Sequence, residues 1–584
     1  MRQFQTLKEF VLMHKKDYLL GIFWIFFIDL VGVVTPKVLG EFIDHLKAGT
    51  IERGEIWKYV GLILAMAILA ALARYYWRIY IMGTSRKVEI WLRDKFYSKL
   101  QTLSPNYFNH NKTGDLMAHA TNDISAIRQA MGPGFLSAVD PIFVLLFTIA
   151  MMVYTVGIKF TVLAMLPLPV LAFLVTRFGK IIHKRFGDVQ AAFGDLTDRV
   201  QENFAGVRVV KTFVQEDAEI EKFTQQNQEN FKANMKLVRV NGIYNPMVQF
   251  ISTVSFLIAL SYGGILVVRG EITLGEFVTF NTYLAMLTWP MMAIGWVINM
   301  WQRGAASMER INNILHTQAE IYDEPDMVAE KTDLEGSIEF RHLTFTYPST
   351  QQAVLYDIDL QIPAGKTVAL IGRTGSGKTT LMNLLLRLYN PERGQVFIDG
   401  VDINLIPLAT LRENIGYVPQ ENFLFSKTIR DNIGFSGEGY SQETVEAAAK
   451  FAQVHQNIVD FKDGYDTMLG ERGVTLSGGQ KQRVSIARAV IKNPKILILD
   501  DSLSAVDTHT EEEILRGMKQ IMQNRTSLII AHRISTIKDA DEIIVLDEGR
   551  ILQRGTHEEL LEMKGLYYEL YQKQLLEDKI AAAH

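Results

Sequence analysis

Six long apolar blocks dominate the chain up to Trp301: Tyr18 to Gly40, Tyr59 to Met82, Phe135 to Thr155, Phe160 to Phe178, Val248 to Val268 and Phe277 to Trp301. Each approaches or exceeds the ~20 residues a helix needs to cross a bilayer, so six spans are predicted. Short connections follow the first, third and fifth blocks, and long ones follow the second and fourth. The long connections carry Arg86, Lys87, Arg93 and Lys112, then Lys180, Arg185, Arg208 and Lys211. Positive residues stay in the cytosol, which places both long loops and both termini inside. A 25-residue helical extension reaches roughly 37 Å at 1.5 Å per residue, so each long loop reads as two helices projecting beyond the membrane and joined by a crosspiece. The expected crosspieces are Thr113 to Ala118 and Ala205 to Lys211, beside Gly114 and Gly206.

Ionisable groups inside spans are costly and usually face water or a partner. Asp29 lies within the first block and Asp140 early in the third, beside Pro141. Each is read either as a substrate contact or gate, or as a solvated cavity wall or helix–helix hydrogen-bond partner. The sixth block holds Tyr283, Met286, Trp289, Met292 and Trp296, a surface suited to adaptable apolar contacts or to ordinary helix packing.

Beyond Ile338 the pattern changes. Short β-like runs such as KTVALIG, KILILD and TSLIIAH alternate with helical stretches, the pattern of an α/β domain. Between KTVALI and LMNLLLRL stands GRTGSGKTT, with Gly372, Gly377, Lys378 and Thr379 at the spacing of a phosphate-binding loop. Thr374, Gly375, Ser376 and Thr380 complete it. Backbone N–H groups in such a turn point at phosphate oxygens, the following helix offers its positive end, the lysine reaches the β- and γ-phosphates and Thr379 holds magnesium. The run ILILD ends in Asp500, read as a second magnesium ligand. ATP and Mg2+ are therefore the expected ligands.

Leu476, Ser477, Gly478, Gly479 and Gln480 then spell LSGGQ ahead of KQRVSIARA. With these motifs in order, the chain resembles the ATP-binding cassette (ABC) transporters over nearly its whole length, and more narrowly the bacterial heterodimeric multidrug exporters. The resemblance implies an α-helical membrane domain of six spans followed by an α/β P-loop ATPase domain. It implies that Tyr347 stacks on adenine, that Gln420 meets magnesium and the attacking water, and that LSGGQ contacts the γ-phosphate of nucleotide held by a facing domain. It also assigns Ser504 to Asp507 to the interface, His532 to the γ-phosphate and Gly470 to Gly473 to a position near the crosspieces. The family places a glutamate after the magnesium aspartate, and here the residue is Asp501. Aspartate is one methylene shorter, and a displacement near 1 Å can lower a rate about 100-fold. A slow site on this chain is expected, completed by a second half-transporter.

These readings divide the chain into a membrane domain at 1–310, a linker at 311–335 and an ATPase domain at 336–578. The terminal KIAAAH, 579–584, resembles an expression scar, and no cleavable signal peptide is expected. The net charge of −4 and the absence of a basic stripe argue against a nucleic-acid partner. Zero cysteines exclude disulfides, thiolate zinc sites and iron–sulfur clusters. Export of amphipathic or cationic molecules across the bacterial cell membrane is the expected function. A lipid flippase, a peptide exporter, a homodimeric exporter and a membrane-tethered regulatory ATPase remain alternatives, and an importer fits less well.

Overall fold

The computed structural model describes residues 2–323, 334–437, 439–470, 473, 476–501, 522, 525–531 and 533–582. It separates into two compact units: Met1–Leu100 with Thr113–Thr317, and Gln101–Lys112 with Gln318–His584.

The first unit is built on six long helices, Lys15–Lys47, Arg53–Gln101, Thr113–Val156, Ile158–Ala205, Glu216–Val268 and Leu274–His316. All six predicted spans lie within them. The fifth has 53 residues, about 80 Å of helix against a ~30 Å hydrocarbon core, so these helices extend far beyond a bilayer.

Pro36 lies inside the first helix, where a proline cannot donate to the preceding turn. The sixth span supplies donors around it: Tyr283 gives its hydroxyl to the Val33 carbonyl at 2.8 Å and Thr279 to that of Pro36 at 3.0 Å. Nearer the helix end, Gly40 and Gly275 let the two backbones approach. A Cβ on Gly40 would stand 2.6 Å from the Gly275 carbonyl oxygen. Asp44 closes this corner by accepting from the Gly275 N–H at 2.7 Å and the Thr273 hydroxyl at 2.5 Å. Charged pairs hold the extensions together: Asp123 binds Arg310, Ser307 and His119.

The crosspiece expected at Thr113 to Ala118 is corrected. That segment is helical and begins the continuous third-span helix, while the crosspiece is the short helix Pro105–His110. Ser104 in an extended conformation followed by Pro105 at the first helical position starts it, because proline lacks only an N–H that would be unbonded there. At the other long loop a short helix spans Val207–Thr212, following Gly206.

The second unit contains two sheets. One is antiparallel, in the order β2 (Leu355–Ile362), β1 (Ile338–Phe345), β4 (Val396–Ile398) and β5 (Val401–Asp402). The other runs β10 (Arg550–Gly555), β9 (Glu542–Asp547), β3 (Thr367–Gly372), β8 (Thr526–Ile530), β7 (Ile496–Asp500) and β6 (Ile415–Val418). It is parallel apart from the β9–β10 hairpin.

Every residue of β7 and β8 is buried, as expected where helices cover both faces. Side chains alternate between two cores. Val368, Leu370, Ile496 and Ile498 enter one, with Leu381 and Leu385 of the helix Lys378–Leu385. Ala369, Ile371, Leu497 and Leu499 enter the other, with Val484 and Ala487 of the helix Gly478–Val490. The phosphate-loop helix and the LSGGQ helix therefore cover opposite faces of one sheet. The segment Gln101–Lys112 joins this unit through Glu320, which accepts from Ser104 at 2.5 Å and Asn106 at 2.9 Å. Asn109 donates to the Tyr389 hydroxyl at 3.1 Å.

Candidate nucleotide site

The phosphate loop leaves β3 at Gly372, and the register shows what stands beside it. Leu370 of β3 and Asp500 of β7 both pair with Ile530 of the intervening β8. Asp500 thus sits two strands from the loop, roughly 10 Å across at ~4.8 Å per strand, at the carboxyl ends where ligands of open α/β sheets bind. Gln420 lies two residues past the end of β6, which pairs with β7, and is exposed at the same edge.

Two glycines shape the loop. Gly375 has φ +84° with open space where a side chain would be, and Gly377 has φ +97°, where a Cβ would lie 2.6 Å from Leu355 Cδ2. Lys378 is 6 % exposed, and its ammonium donates to the carbonyls of Gly372 and Arg373, each at 2.9 Å, and to Ser376 Oγ at 3.3 Å. Burial lowers its proton affinity, and the charges of Asp500 and Asp501 oppose that effect. Thr374 and Thr379 are exposed, the latter in the first turn of the helix. A buried ammonium, an exposed hydroxyl, a glycine turn with room beside it and the 2 %-exposed carboxylate of Asp500 are a donor set that fits a magnesium nucleotide.

Tyr347 stands beside this loop. Its hydroxyl lies 2.9 Å from that of Thr380, and its ring meets Tyr389 edge-on at 4.9 Å and Phe345 at 5.1 Å. Asp501 follows β7 with φ +46°, an uncommon conformation for a residue with a side chain. Its N–H bonds the Ile530 carbonyl at 2.9 Å, and its own carbonyl accepts from Gln482 at 3.2 Å.

The LSGGQ turn is a helix start. Ser477 accepts from the Gln480 N–H at 3.3 Å, Gln480 accepts from the Ser477 N–H at 2.9 Å, and Gly478 and Gly479 begin the helix. This reciprocal cap satisfies two otherwise unbonded donors. Leu476 anchors the turn in the core on that face. Asp507, with the rest of Ser504 to Asp507, and His532 lie outside the described residues, as do Glu471 and Arg472 of the Gly470 to Gly473 segment.

Three contributors escaped the motif reading. Gln482 holds the Asp501 backbone, and Tyr389 connects Tyr347 to Asn109. Arg488, in the LSGGQ helix, donates to Phe423 of the loop after Gln420 and to the Asn432 carbonyl, at 2.9 and 2.8 Å. Burial brings its guanidinium down to about 10, still charged at neutral pH. The run KQRVSIARA carries both polar residues, but a helical pattern does not say which buried side chain reaches which loop.

Residues 18–291 match the family described as ABC transporter transmembrane region, and residues 355–504 match the family described as ABC transporter. The chain is 41 % identical to "Probable multidrug resistance ABC transporter ATP-binding/permease protein YheI" of Bacillus subtilis, over 96 % of this chain and 95 % of that one. It is 36 % identical to "ATP-dependent lipid A-core flippase" of Syntrophus aciditrophicus, over 94 % and 90 % respectively. Among solved structures, a bacterial Atm1-family ABC exporter with ATP bound aligns with a TM-score of 0.79 and 28 % identity, covering 96 % of this chain and 98 % of that one. The chain belongs to the ATP-binding cassette transporters, in the exporter arrangement of six membrane-spanning helices followed by one nucleotide-binding domain.

Proposed function

We propose that this chain is one half of a heterodimeric exporter of amphipathic or cationic small molecules, multi-pass in the bacterial cell membrane with both termini in the cytosol, and that its own ATP site turns over slowly. The observation that carries the slow site is the fixed backbone of Asp501, bonded at both its N–H and its carbonyl. A shorter carboxylate on a held backbone falls back from the position a glutamate would reach.

Dimerisation is supported by the opposite placement of the Lys378 and LSGGQ helices on the sheet. The phosphate loop of one domain then faces the LSGGQ turn of another, and exporters of this family act as dimers. Lys378 and the loop amides hold the β- and γ-phosphates; Thr379, Asp500 and Gln420 hold magnesium, which supplies charge neutralisation when bound. Tyr347 packs on the adenine, with its ring direction set by Thr380 and Tyr389. Asp507 and His532 complete the site by the family pattern. Asp501 orients the attacking water poorly, so hydrolysis is carried mainly by the site built on the partner's phosphate loop and this chain's intact LSGGQ. Domain closure shifts the spans only as far as nucleotide binds the closed form better.

The Syntrophus relative is named for lipid A-core flipping, which favours a flippase as the second reading. Purified complex in nanodiscs tests both. ATPase activity stimulated by several unrelated amphipathic drugs supports drug export; stimulation by one lipid alone supports the flippase. An ordinary transporter rate from the chain by itself rejects the slow site.

A further inference from the structure

Two arginines stand inside the second apolar block. Arg74 and Arg78 lie four residues apart, so their side chains share one face of the helix Arg53–Gln101, and both are exposed. Among the described residues no carboxylate pairs with either guanidinium, and that of Arg78 lies 5.7 Å from the ring centre of Trp77. Two charges on the face of an apolar segment are costly unless something meets them.

Their depth narrows what that is. Toward the long extension, Lys87 stands nine residues past Arg78, about 14 Å along the helix, and its half-exposed ion pair with Asp17 at 2.9 Å marks chain already in water. In the other direction the 78 %-exposed Lys58 stands sixteen residues before Arg74, about 24 Å away. A ~30 Å hydrocarbon core that begins at Lys58 therefore ends close to Arg78, with Arg74 just within it. The neighbouring rings agree with a headgroup level: Trp24 of the first span stacks on Tyr76 at 4.8 Å, Tyr75 meets Tyr76 edge-on at 5.5 Å, and Trp and Tyr favour the membrane–water boundary. Phosphate is the anion found there, and guanidinium groups fork onto its oxygens. A phosphatidylcholine headgroup brings its own cation, which offsets the attraction, whereas an anionic headgroup keeps its charge. A soluble phosphate would have to leave water to reach Arg74.

We propose that Arg74 and Arg78 bind the phosphate of an anionic phospholipid where the second span meets the headgroups on the side of its long extension, which is the inner leaflet in the orientation given above. The site concerns a lipid partner of the membrane unit and does not depend on drug export.

The test is native mass spectrometry of the purified full-length chain released from micelles that hold equimolar phosphatidylglycerol and phosphatidylcholine. The expected result is retained phosphatidylglycerol exceeding phosphatidylcholine by at least about tenfold, given roughly fivefold per arginine at an anionic headgroup. Arg74→Gln/Arg78→Gln should bring that ratio close to one, and Arg74→Lys/Arg78→Lys, which keeps the charge, should hold most of it. Arg177→Gln, at an exposed arginine near the end of the fourth apolar block, should leave the ratio unchanged. ATP binding to the same preparations stays unchanged, which shows that the variants are folded. Equal retention of the two lipids by the wild type, a preference that survives the double glutamine substitution, or one lost equally in Arg177→Gln overturns the assignment. Displacement of the lipid by millimolar inorganic phosphate overturns it too, since the site would then be one for a soluble anion.

Discussion

Gln482 donates its side-chain N–H to the backbone carbonyl of Asp501 at 3.2 Å, tying the LSGGQ helix to the end of the strand that closes on Asp500. Gln482 is 1 % exposed, so solvent does not replace this bond. The hold fixes where a carboxylate at position 501 can stand. In an Asp501→Glu background, Gln482→Ala should remove about tenfold of the gained hydrolysis, because the longer side chain loses its placement. Single-turnover hydrolysis of radiolabelled ATP measures it, and an unchanged rate would show that Gln482 plays no positioning part.

Tyr347 depends on Thr380 for its direction as well as on its own ring. Tyr347→Ala should weaken ATP binding about tenfold by removing a stacking face, and Thr380→Val should weaken it only a few-fold through the lost hydroxyl contact. Titration with a fluorescent ATP analogue separates the two, since Lys378→Ala should abolish binding at the same concentrations.

The first crosspiece reaches the aromatic cluster beside the phosphate loop through Asn109 and Tyr389. Asn109→Ala should reduce substrate stimulation of the ATPase while ATP affinity changes less than about twofold. A double-mutant cycle with Tyr389→Phe gives the coupling, and additive effects would mean that the contact carries none.

The Gly40–Gly275 approach leaves no room for a side chain. Gly275→Ala would put a Cβ 2.6 Å from Asp44 Oδ2 and closer still to the Gly40 carbonyl. The membrane unit should lose about 1–3 kcal/mol, read as a lower unfolding temperature in detergent. Gly61→Ala, with open space at its Cβ, is the control.

Asp541 links the starts of β3 and β9. Burial pushes its carboxyl up, but the Thr367 N–H at 2.8 Å and the Lys366 ammonium at 2.9 Å outweigh burial and hold it below the usual range. A depressed carboxyl contributes stability above its unfolded value near 3.9, and that contribution fades as pH falls through the folded value. Asp541→Asn should therefore lower the unfolding temperature by the same amount from pH 8 to pH 5. Narrowing of the difference between pH 7 and pH 6 would contradict this sign.

The sequence made the spans and the phosphate loop readable because both rest on local pattern: unbroken apolar length in one case, glycines at fixed offsets between strand and helix in the other. A glycine beside the expected crosspiece, Gly114, misleads because helical geometry accepts it there, whereas the start signal is Ser104–Pro105. Contacts between distant segments had no local signature. Asp29 and Asp140 are each visible as charges in apolar blocks, but the pattern does not say that their spans pack together, as the edge-on meeting of Phe26 and Phe143 shows they do. Gln482 likewise sits in a helical run whose pattern does not reveal that it reaches Asp501.

The short carboxylate at position 501 is tested most directly by comparing wild type with Asp501→Glu in a complex whose other site has been inactivated, measuring phosphate release at saturating ATP. A rise of about 10- to 100-fold in the variant is the expected result. A wild-type rate already equal to that of the variant would contradict the account.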